Sequence, residues 1–398
     1  MTAEVSAPTK MCIYCAQSKP LAKFSDEHIW PEALGGDPLS LLWRTKEVCA
    51  GCNSMSGVFV DGAFIRGWAG SAERTRDANQ YLSLNDPTES APPPHYLGQL
   101  KHKAIRHNEV VDWWAGPCGA TILHFRPKET EELWTSYVGG DPRPNRTRPG
   151  RAYIALASDK EYWLVSALMS FKNHFKRDAR YVVNMTAPTQ WSAFRNVDRQ
   201  DPDQIADLII FESITDAANA GNSVPAHQEI RTDTGHRFLC KLGLAIGCQL
   251  LGSKFTNHPD GDQLRRAFRE VGLQRRQQIP IRGSGYFNGS DGSPLGILGW
   301  PGAWVLLVQA IKGTLAVVVI APSKMPMAIS ITDDPKLIRQ MAPEYPQGQI
   351  WITVPTLQKA VGPLALPQYA AHLASEVLHP ELIALEALRI DTSMLPPC

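Results

Sequence analysis

Neither sign of charge dominates this 398-residue chain: 40 Lys and Arg stand against 39 Asp and Glu, for a formal charge of +1. That balance excludes a bulk polybasic protein, so affinity for nucleic acid or a membrane surface has to come from local patches. Long apolar runs are missing too. The most apolar stretch, residues 303–321, is broken by Gln309, Lys312 and Gly313, which argues against a membrane span. Met1 to Lys10 has no apolar core and does not read as a secretory signal. No GxxxxGK[ST] loop, no GxSxG elbow, no internal repeat and no low-complexity tract is present. These absences point to a cytoplasmic protein outside the common nucleotide-binding and serine-hydrolase classes. What is present is an ordinary globular composition, 43% hydrophobic with 11 Trp, 12 Phe and 10 Tyr, which a disordered chain lacks. The length exceeds what one core covers and predicts two or three domains.

Cysteine usage is uneven. Four of the eight form two pairs, Cys12-Ile-Tyr-Cys15 and Cys49-Ala-Gly-Cys52, and the others (Cys118, Cys240, Cys248, Cys398) are scattered. A disulfide framework would spread its cysteines through a small secreted chain. Two Cys-x2-Cys knuckles instead match structural zinc, because each short spacer lets a turn aim two thiolates at one tetrahedral ion.

Between and beside the knuckles lie Glu27-His28-Ile29-Trp30-Pro31, the turn signal Gly35-Gly36, and Asn53 directly after the last cysteine. A zinc staple can hold a β-hairpin against a helix, so that a His on the hairpin faces an Asn at the helix start. A neutral imidazole, with an ordinary pKa of about 6.5, takes a proton from water at physiological pH. A carboxylate and an amide oxygen suit Mg²⁺ or Mn²⁺, whereas thiolates select zinc. Plainer roles are open to each residue: His28 bonding a knuckle carbonyl, Glu27 solvated at a strand end, Asn53 capping a helix. Asp61, about two turns up that helix, is placed outside the site, as a neighbour of it or a surface charge.

In this order of motifs, residues 11–66 resemble the zinc-stapled branch of the HNH endonuclease family with its ββα-metal fold. The resemblance implies a metal-dependent endonuclease that hydrolyses DNA phosphodiesters. It makes His28 the general base, Glu27 and Asn53 ligands of a catalytic Mg²⁺ or Mn²⁺, and Cys12, Cys15, Cys49 and Cys52 the zinc ligands. One departure stands out. The family often has an Asn shortly before the second knuckle that orients the base loop, and residues 41–47 contain none; Thr45 or a backbone carbonyl is the candidate replacement.

The fold class expected is α+β, a small zinc-bound ββα-metal module followed by a larger mixed α/β domain. The expected boundaries are a nuclease domain at 1–86, a proline-rich linker at 87–95 and a recognition, regulatory or dimerisation domain at 96–398. Arg44 and Lys46 are candidate phosphate contacts beside the metal. Farther candidates are the arginines of 143–151 and the set Arg265, Arg266, Arg269, Arg275, Arg276 and Arg282. Partner expectations are double-stranded DNA, a small-molecule activator and a second copy of the chain, in a restriction or antiviral defence setting. The competing readings are a zinc module that docks nucleic acid or protein without cutting it, and a ligand-gated or RNA-directed nuclease. A helix opened by a Ser158/Glu161 capping box and a hairpin turned at Lys312-Gly313 are further local expectations.

Overall fold

The computed structural model describes residues 8–131, 134, 137–141, 150–186, 191–284 and 294–398. They form a mixed α/β protein that divides into two compact units, 1–65 with 231–389 and 66–230 with 390–398.

The first unit begins with two short hairpins. Strands β1 (Thr9–Met11) and β2 (Ser18–Pro20) pair antiparallel around the first knuckle. Strands β3 (Phe24–His28) and β4 (Arg44–Cys49) pair antiparallel, with His28 opposite Arg44 and an irregularity between Ser25 and Glu27. Their connection turns at Gly35, whose φ of +84° is left-handed. Gly36 is required for a different reason: a Cβ there would lie 1.9 Å from the Trp30 carbonyl oxygen. Helix α1 (Ala50–Ser56) follows β4 and runs through a π-helical turn, Gly57–Gly62, into α2 (Ala63–Arg66). Gly57 and Gly62 thus bound a π-bulge within a continuing helix.

The rest of this unit supplies the core. Helix α3 (Thr232–Leu251) and α4 (Pro259–Arg269) pack beside a six-stranded antiparallel sheet, followed by the short α5 (Leu273–Gln277). The sheet's central hairpin, Trp304–Ile311 with Thr314–Ile320, turns at Lys312-Gly313 as the sequence predicts. Both turn residues have positive φ, +49° and +78°, the pairing that suits a two-residue hairpin loop.

The division at 87–95 does not coincide with these units, and the reason is hydrophobic. Tyr14, Trp30, Trp43 and Phe64 are too many large apolar groups for sixty residues to bury alone. They are buried against α3 and the sheet: Phe64 stacks on Phe238 with centroids 4.3 Å apart, Trp30 meets Trp304 at 5.5 Å, and Trp43 meets Trp351 at 5.4 Å. The zinc-knuckle hairpins and residues 231–389 share one core.

The second unit holds a seven-stranded sheet, antiparallel except for two parallel pairings at one end, with helices including Glu161–His174 and Pro202–Asn219. The expected linker is tied into this unit, since the Pro92 and Pro93 carbonyls accept hydrogen bonds from Ser170 and Thr75. The expected capping box does not form. Lys160 takes the N-cap position, and Ser158 accepts from the Lys160 N–H instead. Cys118 and Cys398, read as isolated, are joined in a disulfide. Arg143, Arg146 and Arg148 lie outside the described residues, while Arg151 is held by Glu109 and Asp207. Among the described residues, no helix is long and apolar enough to cross a membrane.

Candidate metal and catalytic centre

The four knuckle cysteines converge. Cys12 and Cys15 lie in the turn between β1 and β2, Cys49 ends β4, and Cys52 is in the first turn of α1. Their sulfurs all lie within 4.8 Å of one another. Each cluster edge is lined with donors: the Cys49 N–H reaches Cys12 Sγ at 3.3 Å, Lys19 Nζ reaches Cys49 Sγ at 3.2 Å, and an Arg269 guanidinium nitrogen reaches Cys52 Sγ at 3.6 Å. Such donors favour thiolate over thiol. A hydrogen bond from Cys52 draws the Cys12 thiol down to about 4, while the bond to Cys12 pushes Cys52 up. Four sulfurs at this spacing could hold a tetrahedral zinc ion.

His28 closes β3 at the end of the hairpin. Its imidazole is 28% exposed, yet Nε2 is itself buried without a hydrogen-bond partner and lies 3.6 Å from Asp37 Oδ1. Asp37 is in turn held by Arg44, which donates to its carboxylate at 2.7 Å and to its carbonyl oxygen. This bears on the missing Asn of 41–47. Thr45 Oγ1 is occupied by the Glu47 N–H, so Arg44, not Thr45, ties the loop beyond the histidine to β4. Arg44 is therefore engaged within the hairpin, whereas Lys46 stays 81% exposed, 4.0 Å from Asp26.

Asn53 sits one turn into α1, and Cys49 takes the N-cap position, so capping is not its role. The Asn53 amide nitrogen donates to the Asp26 carbonyl at 2.7 Å and to Ser25 Oγ at 3.1 Å. The amide oxygen takes no part in either bond. Asp26 and His28 are two residues apart on one strand, roughly 7 Å at 3.3 Å per residue. Asn53 and His28 are thereby fixed to the same strand end.

Glu27 departs from its expected place. It is 3% exposed and points into the core, where its carboxylate meets Lys241 Nζ at 2.8 Å and the Tyr14 hydroxyl at 3.1 Å. Lys241, fully buried on α3, also pairs with Asp61 at 2.6 Å and donates to the carbonyl oxygens of His28 and Ile29. Asp61 is a buried member of this cluster, not a surface charge. Burial raises its carboxyl to about 6, Lys241 works against that rise, and Glu27 adds to it. For Lys241, burial lowers the pKa, but Asp61 and Glu27 outweigh it, the net shift is upward, and the ammonium stays charged. Sequence reasoning missed Lys241, Asp37 and Tyr14. The one available signal was a lone lysine in the apolar run Phe238 to Ile246.

Against known proteins, the family model for HNH endonucleases matches residues 12–69. No curated relative and no solved structure matches the chain. The matched segment contains all four knuckle cysteines, Glu27, His28, Asn53 and Asp61.

Proposed function

We propose that the chain is a zinc-stapled, divalent-metal-dependent endonuclease that hydrolyses DNA phosphodiesters, with His28 as general base. The observation that supports this most is the His28 Nε2, without a hydrogen bond and 3.6 Å from the Asp37 carboxylate, at the end of a hairpin stapled by four cysteines, inside the segment that matches the HNH family. A neutral imidazole nitrogen in that position can take a proton from water and hold it. Asn53 offers its amide oxygen to Mg²⁺ or Mn²⁺. Because Lys241 engages Glu27, the carboxylate that accompanies Asn53 is assigned to Asp26, which is 70% exposed on the same strand. The ion, when bound, stabilises charge on the phosphate and the leaving oxygen. Glu27 is assigned to holding the His28 strand in place. The unit 66–230, with a sheet and core of its own, is assigned to directing or gating cleavage, as a restriction or antiphage enzyme requires.

One observation favours a second reading, a zinc module that docks nucleic acid without cutting it: the Lys241 ammonium occupies the acidic residue that family members give to the metal. Plasmid cleavage with Mg²⁺, Mn²⁺ or EDTA separates the two. Metal-dependent nicking that His28→Ala loses by ~100-fold or more, with zinc content unchanged, supports the nuclease. Equal cleavage by that variant removes His28 as the base, and binding without cleavage under every metal supports the docking module.

A further inference from the structure

The C-terminal end of α4 and the start of α5 enclose a cleft of about 700 Å³ lined by Arg265, Arg266, Arg269 and Arg275, with Glu270 as its one acidic wall residue. The four guanidinium groups outnumber the two carboxylates that pair with them, Asp262 and Glu270, and the cleft keeps an excess of positive charge. Asp262 is taken by Arg265, and Arg266 reaches the same carboxylate only at 3.9 Å while remaining 61% exposed. Arg275 pairs with Glu270 at 2.9 Å while remaining 75% exposed, and no ion pair reaches Arg269 among the described residues. Two further arginines of the sequence cluster do not contribute: Arg276 is buried on Asp233, and Arg282 is paired with Asp333. A helix C-terminus favours a cation or two. It does not account for four guanidinium groups around an open hollow.

The cleft borders the cysteine cluster. Arg269 donates to the Tyr14 carbonyl at 3.2 Å and approaches Cys52 Sγ, one residue before Asn53. Phe268 packs edge-on against Tyr14 with ring centroids 5.0 Å apart, and Tyr14 holds Glu27. Arginine forks match phosphate oxygens in pairs and carry little hydration to remove. We infer that this arginine cleft seats phosphodiesters of the nucleic-acid strand on which the His28 centre acts. The inference rests on the nuclease reading and adds the surface that positions the substrate.

The test uses the full chain with His28→Ala, so that substrate survives, and a fluorescein-labelled DNA duplex whose binding is followed by anisotropy across a salt series. Arg266→Gln with Arg275→Gln removes two exposed cations without touching a zinc neighbour. Lys359→Gln, an exposed lysine outside the cleft, is the control. The cleft variant should bind ~10-fold or more weakly at 0.1 M salt, with the log–log salt slope smaller by about 2, because each lost phosphate contact removes about 0.9. Its zinc content and melting temperature should match the parent, and the control should bind unchanged. An unchanged slope in the cleft variant overturns the inference and leaves the nuclease reading standing. No binding of duplex, single-stranded DNA or RNA by the parent protein overturns the nuclease reading itself. ATP binding that the cleft variant loses while duplex binding persists overturns the inference in favour of a free nucleotide.

Discussion

Replacing Lys241 by Met tests the buried cluster most directly. The ammonium is fully enclosed and within 2.8 Å of Glu27 and 2.6 Å of Asp61. Methionine is one atom shorter, keeps the unbranched stem and removes the charge, which leaves two carboxylates in the core with no cation. Breaking one side of a buried pair costs about 3–5 kcal/mol, a large share of the ~5–15 kcal/mol that holds a domain folded. The loss should depend on pH. Asp61 has a folded-state pKa of about 6, above its ordinary 3.8, so the folded chain binds this proton more tightly than the unfolded one. Such a group contributes stability that is full below about pH 4 and is lost as pH rises through about 6. Without Lys241 the lowering influence on Asp61 disappears and that window moves upward. The deficit of the variant should therefore be largest near pH 7.5 and shrink toward pH 5. Urea unfolding followed by circular dichroism, with zinc present and both proteins compared at each pH, measures it. Adding Glu27→Gln and Asp61→Asn to Lys241→Met should recover much of the loss. A deficit under about 1 kcal/mol at pH 7.5, or one that does not shrink on acidification, would refute the reasoning.

Three other outcomes follow from the same geometry. In a Mn²⁺ titration of plasmid cleavage, Asp26→Asn should raise the metal concentration for half-maximal activity ~10-fold or more, on the scale of a lost or misplaced ligand; Glu27→Gln should shift it less, and the reverse order would return the metal to Glu27. Cys49→Ser should lose bound zinc and expose residues 8–65 to limited proteolysis, because metal binding there is folding free energy; a full, stable zinc complement would contradict the four-cysteine site. A fragment ending at residue 86 should stay unfolded with zinc added, since Trp30, Trp43 and Phe64 find their partners on residues 238, 304 and 351; a cooperative melt for that fragment would show that the shared core is dispensable.

What the sequence made legible was local. The knuckle spacing, the Gly35-Gly36 turn and the Lys312-Gly313 hairpin are each decided by residues a few positions apart. What it hid was set by distance along the chain. Nothing near Trp30 announces Phe238, and nothing near Cys118 announces Cys398 at a separation of 280 residues. The proline-rich stretch 87–95 reads as a linker by composition, yet its Pro92 and Pro93 carbonyls are claimed by Ser170 and Thr75, which no local rule reveals.

The misplacement of Glu27 has a different origin, because the rule that decides it was available. Successive side chains of a strand point to opposite faces. An acidic residue and a histidine that are neighbours on one strand are therefore split between core and solvent unless an irregularity falls between them. Here the register shift lies between Ser25 and Glu27, before the pair, so the split is kept. His28 goes to the open side with Asn53, and Glu27 goes inward, where a carboxylate at 3% exposure needs a cation. The cation comes from Lys241, more than two hundred residues away, whose ammonium also meets the carbonyl oxygen of His28 itself. The placement of the proposed base thus depends on α3, and the hairpin that resembles a self-contained nuclease module is completed by the second half of the chain.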